Sequence, residues 1–307
     1  MNNFANKSSE VCAVFVCFHP EFELFRSAVE AMSCQVERTV VVNNGADAEV
    51  EQWLHMNGIA ILNYQKNVGV AAAHNKGIEW AIAHGMSYVI LMDQDSIATP
   101  GMVATMAASA KQFKLDRIKY AALGPKIVSM KSGEPHPIIR LGLISNTRQY
   151  DNAMHKAVEV DIIISSGTMI PLEVINTIGN MNEDLFIDNV DIEWCFRAKY
   201  KGYQLYIEPG AVLMHNLGDS TKKIWLLGNM PMVLHKPVRL YYMMRNRILL
   251  YSLAHTPTIW VVHDIFRVAA KFLIFSLLIS PRVKNSIMML RGIADGVRGV
   301  KGGLQNN

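Results

Sequence analysis

Acidic residues are almost missing from the C-terminal part of this 307-residue chain. Residues 221–307 hold 13 Lys and Arg against Asp264 and Asp295 alone, which leaves 17 basic and 24 acidic side chains for residues 1–220. The net charge of +4 thus conceals an acidic body joined to a basic tail. The tail lacks the polar, aromatic-interleaved composition of a nucleic-acid groove, so nucleic acid is not expected as a partner. An anionic membrane surface fits a basic, apolar segment better. Long apolar runs are lacking as well. The apolar run Phe272–Pro281 has ten residues, and the longest uncharged run of the tail, Ile248–His263, has sixteen with two histidines and a proline in it, against roughly 20 for a bilayer-spanning helix. Amphipathic helices lying in the interface are the expectation. The alternative is that they pack on the acidic body or on a second copy, giving a homo-oligomer.

Cysteine is scarce. Cys12, Cys17, Cys34 and Cys195 show no CxxC or other metal spacing, which excludes a cysteine-held metal and reads as reduced, mostly buried thiols. Met1–Glu10 is polar with no apolar signal core, so a cytoplasmic location is expected. No internal repeat or low-complexity segment occurs. Half of the residues are hydrophobic, enough for one large domain plus an appendage.

What is present is a regular alternation of apolar runs and helical periods. Val11–Phe18, Thr39–Val42, Ala60–Leu62 and Tyr88–Met92 read as strands. Between them, Glu21–Met32, Glu49–Met56 and Gly69–His84 read as helices. This order predicts a doubly wound, mainly parallel α/β sheet. Beyond it, Pro100–Phe113 is a predicted helix and Ala121–Leu123 a strand, and residues 131–157 read as a polar flap or hairpin. Val160–Ile164, Tyr203–Ile207 and Ala211–Met214 are predicted strands, and Leu172–Ile178 and Asp188–Lys201 helices. Residues 1–224 are expected to form the catalytic domain and 225–307 a C-terminal amphipathic helical extension.

Asp93-Gln94-Asp95 follows the buried run Tyr88–Met92, so its carboxylates emerge at the C-terminal end of a strand, where open α/β sheets form ligand crevices. A capped turn is the bland reading of Asp-x-Asp. The placement favours a hard divalent cation, Mg2+ or Mn2+, carrying the phosphates of a nucleotide diphosphate. Asp95 would bind the cation, and Asp93 would hold the ribose or support the metal. Asp188, Asp191 and Glu193 crowd a helix start between Phe186-Ile187 and Trp194. Helix capping explains one or two acids there. An acid shielded by apolar neighbours has a raised pKa suited to a general base, and Asp191 is assigned that role, with Arg197 holding Glu193 or Asp191. His215 ends the strand Ala211–Met214 and is either a satisfied structural histidine or a third metal ligand. In Asn67–Gly77 the small residues either cradle phosphate at a helix start or pack the helix closely on the sheet.

Together these segments resemble family 2 glycosyltransferases, inverting enzymes of the GT-A fold, through residues 11–218. The resemblance rests on Phe18-His19-Pro20, Val41–Gly45, Asn67-Val68-Gly69 with Asn75-Lys76-Gly77, Asp93-Gln94-Asp95, Ser166-Gly167, Asp188–Trp194 with Arg197, and His215. The Phe186–Cys195 segment and Tyr241–Arg247 resemble bacterial rhamnosyltransferases that use dTDP-L-rhamnose. The resemblance implies a nucleotide-diphospho-sugar donor and a lipid-linked, undecaprenyl-type glycan acceptor. It also implies a place on the cytoplasmic face of the inner membrane, in O-antigen or surface-polysaccharide synthesis. It implies donor contacts from His19, Pro20, Asn43, Asn44, Asn67, Gly69, Asn75, Asp93, Gln94, Asp95, Ser166 and Gly167. Asp93, Asp95 and His215 become the metal set, and Asp191, Asp188, Glu193 and Arg197 the catalytic set. Two positions depart from the family. Asn43 stands where relatives carry an Asp that accepts from the pyrimidine N3–H, and an Asn carbonyl can also accept. Val190 stands where relatives often carry Glu, so Asp188 shares or takes the base role if Asp191 does not hold it. A nucleotidyltransferase is disfavoured because Val11–Pro20 has no Gly-rich basic signature, and a non-catalytic scaffold because the acids are intact.

Overall fold

The computed structural model describes residues 8–142, 147–149, 156–215, 221–224 and 230–304. Strand β1 (Ser8–Cys17) leads through helix α1 (Phe22–Ser33) to β2 (Val36–Asn43), then through α2 (Ala48–Met56) to β3 (Ala60–Asn63). Helix α3 (Val70–Ala83) carries the chain back across to β4 (Tyr88–Asp93). These four strands pair in parallel in the order β3-β2-β1-β4. The chain therefore winds outward on one side of β1 and returns on the other, so a topological switch point lies between β1 and β4. Residues alternate strictly along β1. Ala13 and Phe15 face the layer holding Phe25 and Met32 of α1, whereas Cys12 and Val14 face the layer holding Ala71 and Ile78 of α3. Both faces are buried, which is why the strand reads as a continuous apolar run.

The second half extends the same sheet. After β5 (Ile97–Ala98), α4 (Met102–Leu115) and β6 (Tyr120–Ser129) come the hairpin β7 (Ile138–Arg140) and β8 (Thr147–Gln149), then β9 (Val158–Val160) and β10 (Thr168–Pro171). Helices α5 (Leu172–Ile178) and α6 (Val190–Tyr200) precede the long β11 (Gln204–His215). The full sheet order is β3-β2-β1-β4-β10-β6-β11-β5, with β9 on β11. Parts of the polar 131–157 stretch, residues 143–146 and 150–155, lie outside the described residues.

Two expectations need correction. Val160–Ile164 is not a strand, and the central antiparallel strand is β10, inserted between β4 and β6. Ile162–Ile164 is instead a connection without strand pairing, in which buried Ile163 donates its N–H to the Cys195 Sγ at 3.4 Å. Tyr203–Ile207 and Ala211–Met214 are one strand, because Pro209 and Gly210 form a register shift between Glu208 and Val212 rather than a turn. The Glu208 carboxylate satisfies the irregularity, accepting from Gly210 N at 3.0 Å and Ser109 Oγ at 2.5 Å.

The strands β12 (Thr221–Ile224) and β13 (Met230–Val233) form a small ribbon. Three helices follow, α7 (Pro237–Tyr251), α8 (Thr258–Leu277) and α9 (Arg282–Val297). Leu240, Met244, Phe275 and Met289 give them a core of their own. Helices α7 and α9 approach so closely that a Cβ on Gly292 would meet the Tyr241 backbone carbonyl. Among the described residues no helix is long and apolar enough to cross a membrane.

Candidate active site

The acidic pair lies at the switch point. Asp93 is the last residue of β4 and neighbours Val16 near the end of β1. The next residues are pinned from the other side, because β5 pairs antiparallel with the end of β11, Ala98 on Leu213 and Ile97 on Met214. This short pairing brings His215, the last residue of β11, to Asp95, with Nδ1 3.7 Å from Oδ1. One ligand atom from each of Asp93, Asp95 and His215 lies within 4.8 Å of the others. A chain of hydroxyls supports them. The Asp93 N–H donates to Ser166 Oγ at 3.3 Å, Ser166 Oγ lies 2.8 Å from Ser96 Oγ, and Ser96 Oγ 2.6 Å from His215 Nδ1.

The electrostatics suit a cation. Burial, reinforced by the Asp95 charge, pushes the Asp93 carboxyl up to about 7. Burial lowers the His215 pKa, with Asp95 opposing, which favours the neutral, ligating imidazole. Two oxygens and one neutral nitrogen form a donor set for Mg2+ or Mn2+. A proton on Nδ1 shared with Ser96 would leave Nε2 as the ligating atom.

These groups share one cavity of about 310 Å³ with Asp188, Asn189, Asp191, His74 and Arg239. A larger cavity, about 670 Å³, opens at the other edge of the sheet beside Tyr88 and Tyr120 and contains none of them. Asp191 stands in the first turn of α6. Burial pushes its carboxyl up to about 6, with repulsion from Asp93 and Asp188 adding to the rise and the Ile192 N–H bond opposing it. The approach to α6 is strained. Phe186 (φ 64°, ψ −63°) forms a γ-turn in which Ile187 N–H donates to Leu185 O at 2.7 Å. Asp188 and Asn189 follow with φ of 63° and 62°. Such conformations cost about 1–3 kcal/mol each.

The compensation comes from α7. Asn246 Nδ2 donates to the carbonyls of Leu185 (2.9 Å), Ile187 (2.6 Å) and Asp188 (2.8 Å). Arg245 donates to the Leu185 carbonyl at 2.9 Å, to Asn246 Oδ1 at 2.8 Å and to the Gly302 carbonyl. Both side chains are fully buried. Arg239, also on α7, forks onto Asp188 with Nε 3.2 Å from each carboxylate oxygen and Nη2 3.0 Å from Oδ1. Residues beyond 224 therefore build part of this cavity.

Several residues expected at the donor have bonds within the scaffold. At the α3 N-terminus the Val70 N–H donates to Phe186 O at 2.7 Å. Gly69 (φ 87°) is required there, since a Cβ would come within 2.5 Å of the Phe186 carbonyl. Asn75 spends its amide on Met181 and Glu183 and ties α3 to the loop before α6. Asn44 and Asn67 bond to each other at 2.9 Å, and Asn44 also accepts from Val68 N. Asn43 Oδ1 accepts from Gly45 N and Ala46 N, so both of its lone pairs are used within the loop. Its amide donates to Glu51. Glu193 and Arg197 do not line the cavity. Glu193 is 2% exposed and is held by the Arg197 fork and by His255 Nε2 at 2.8 Å, a buried anchor for α6. Gly167 donates its N–H to Leu91 O at 2.7 Å, and Ser166 acts through the hydroxyl chain. Gln94 Oε1 accepts from Phe18 N at 2.8 Å, joining the ends of β4 and β1. His19 and Pro20 sit beside it at the same sheet edge, His19 with φ 43° and its ring against Phe18.

Sequence reading missed Ser96, His74, Asn189, Arg239, Arg245 and Asn246. The signal for the last three was present, since Arg239, Arg245, Asn246 and Arg247 interrupt an otherwise apolar Tyr- and Met-rich helix.

Comparison with known proteins agrees with this architecture. The family model for glycosyl transferase family 2 matches residues 13–177. The chain is 28% identical over 314 residues to the dTDP-rhamnosyl transferase RfbF of Shigella flexneri, covering 98% of this chain and 99% of that protein. Among solved structures, GalNAc-T7 with UDP, GalNAc and Mn2+ superposes with a TM-score of 0.61 at 10% identity, over 95% of this chain and 56% of that one. S. aureus TarS 1–349 in complex with UDP-GlcNAc gives 0.58 at 13% identity, over 95% and 81%.

Proposed function

Because the chain belongs to glycosyl transferase family 2, and is a glycosyltransferase with a nucleotide-sugar donor, we propose that it moves L-rhamnose from dTDP-L-rhamnose to a hydroxyl of a lipid-linked, undecaprenyl-type saccharide. The observation that carries this reading is the single cavity in which Asp191 faces Asp93, Asp95 and His215. The likeness to a dTDP-rhamnosyl transferase along the whole chain supports the donor.

In this reading Asp93, Asp95 and His215 would hold a divalent cation, which would supply positive charge to the donor diphosphate. Asp191 removes the proton from the acceptor hydroxyl as its oxygen attacks the anomeric carbon from the face opposite the leaving diphosphate, so configuration inverts. A carboxyl with a pKa near 6 is largely ionised at neutral pH yet basic enough to share a proton in the transition state. Asp188, neutralised by Arg239, shapes the cavity rather than competing for that proton. The pyrimidine lies at the His19–Asn43 edge. With Asn43 committed to its loop, the Glu51 carboxylate beside it accepts the N3–H. The apolar, basic helices α8 and α9 rest on the anionic cytoplasmic face of the membrane that carries the acceptor.

The test is release of dTDP from dTDP-L-rhamnose with a lipid-linked acceptor, followed by mass spectrometry of the product. One added deoxyhexose, and loss of activity in EDTA and in Asp95→Ala, is the expected result. Turnover of UDP-galactofuranose or a UDP-hexose in its place would overturn the donor. Pyrophosphate release would overturn the reaction type, and full activity in EDTA the metal.

A further inference from the structure

His74 is 1% exposed on α3, and neither ring nitrogen has a hydrogen-bond partner among the described residues. Buried polar atoms are nearly always paired. Leaving two unpaired costs stability that a leucine of similar size would not. The Asn189 side-chain amide nitrogen is likewise buried and unpartnered, on a residue 8% exposed. Both residues line the cavity that holds Asp93, Asp95 and Asp191. Two unrelated orphan groups, on α3 and at the start of α6, thus line the one gap that also holds Asp93, Asp95 and Asp191. In a displacement at the anomeric carbon, the ring of the transferred sugar must occupy this gap.

We infer that His74 and Asn189 are the hydrogen-bonding partners of the transferred sugar's hydroxyls. Val70, Ile164, Ile187 and Val190 also line the cavity, beside Ser165, Asp188 and Arg239, and give the sugar an apolar side, which fits a 6-deoxyhexose with its methyl edge. The Asn189 amide donates; the imidazole, kept neutral by burial, donates through one nitrogen and accepts through the other. A neutral ring can do both at once, and a protonated one cannot. The inference rests on the transferase reading and names the sugar subsite within it.

The test compares His74→Leu and Asn189→Gly with the wild-type chain. Leucine removes the orphan atoms, and glycine keeps the left-handed backbone of position 189. Three quantities are measured on each: Tm without ligand, the Tm rise with dTDP and with dTDP-L-rhamnose, and kcat/KM. The expected result is an unchanged or higher ligand-free Tm, an unchanged rise with dTDP and a smaller extra rise from the sugar. In each variant kcat/KM falls by about 10- to 100-fold, the loss of a well-placed hydrogen bond. A kcat/KM within about twofold of wild type, or a lower ligand-free Tm with the sugar-dependent rise intact, would overturn it and mark a merely structural histidine. Where wild type turns over a different nucleotide sugar, the rhamnosyl reading fails and the same comparison on that donor decides the roles of His74 and Asn189.

Discussion

Asp191 carries an opposition between stability and chemistry. Its carboxyl has a pKa near 6 in the fold, above the ordinary value of about 3.9 in an unfolded chain. The native state therefore binds more protons than the unfolded state between those values, and stability falls as pH rises through that window. Above pH 6 the ionised group costs stability. Asp191→Asn should raise Tm by about 2–5 °C at pH 8 and by little at pH 4, while reducing transfer by about 1000-fold or more. Calorimetry at the two pH values and a turnover assay check both halves. Wild-type kcat/KM should rise with pH and level off above about 6, which a pH–rate profile reads directly. The acids of the site were legible because strand patterning fixes where Asp93 emerges. The amide roles were not. Asn43, Asn44, Asn67 and Asn75 look alike in sequence whether they meet a ligand or close a loop, and only the geometry shows which neighbours they satisfy.

At the level of elements, α7 is the piece whose purpose the sequence disguised. Its Arg239, Arg245 and Arg247 read as charges bordering a membrane, yet Arg245 is 0% exposed and Arg247 pairs with the buried Asp264. Burying a guanidinium is costly unless carbonyls or carboxylates meet it, and the γ-turn supplies those carbonyls. The first four strands were readable because continuous apolar runs separated by helical periods admit few alternatives. Strand β10 was not, since four residues closing on a proline carry almost no periodicity. Asn246→Leu should strip the Ile187 and Asp188 carbonyls of their donor, leaving Leu185 O to Arg245, and release the strained turn. The expected cost is about 2–4 kcal/mol together with a tenfold or greater fall in kcat. Urea unfolding and steady-state kinetics on the same variant measure them separately.

Across the whole molecule, charge and apolar exposure concentrate at one end of the chain. Helix α8 leaves Val262, Phe266, Leu273 and Leu277 exposed, and α9 leaves Val283, Ile287, Leu290 and Val297 exposed. These recur at three-, four- and seven-residue steps, so each helix has one apolar stripe. Asp264 is buried and Asp295 is engaged by Tyr241, Arg291 and Arg298. Like charge on such a surface disfavours a second copy and favours anionic lipid. The double variant Phe266→Glu and Ile287→Glu should lower binding to vesicles containing phosphatidylglycerol by about tenfold or more. It should leave binding of dTDP unchanged. Vesicle co-sedimentation at low and high salt, with neutral vesicles as control, measures the effect.

The Gly302 carbonyl accepts from Arg245, Gly302 N–H donates to Asp184 O at 2.7 Å, and Leu304 N–H donates to the Tyr242 hydroxyl at 2.6 Å. The segment after α9 is thereby stitched beneath the turn that aims Asp188 and Asp191. A purification handle fused close behind Leu304 would strain these bonds, and an exopeptidase trimming past Gly302 would remove them, and either would disturb that turn. Placing affinity tags at the amino end avoids a spurious loss of turnover that has nothing to do with substrate.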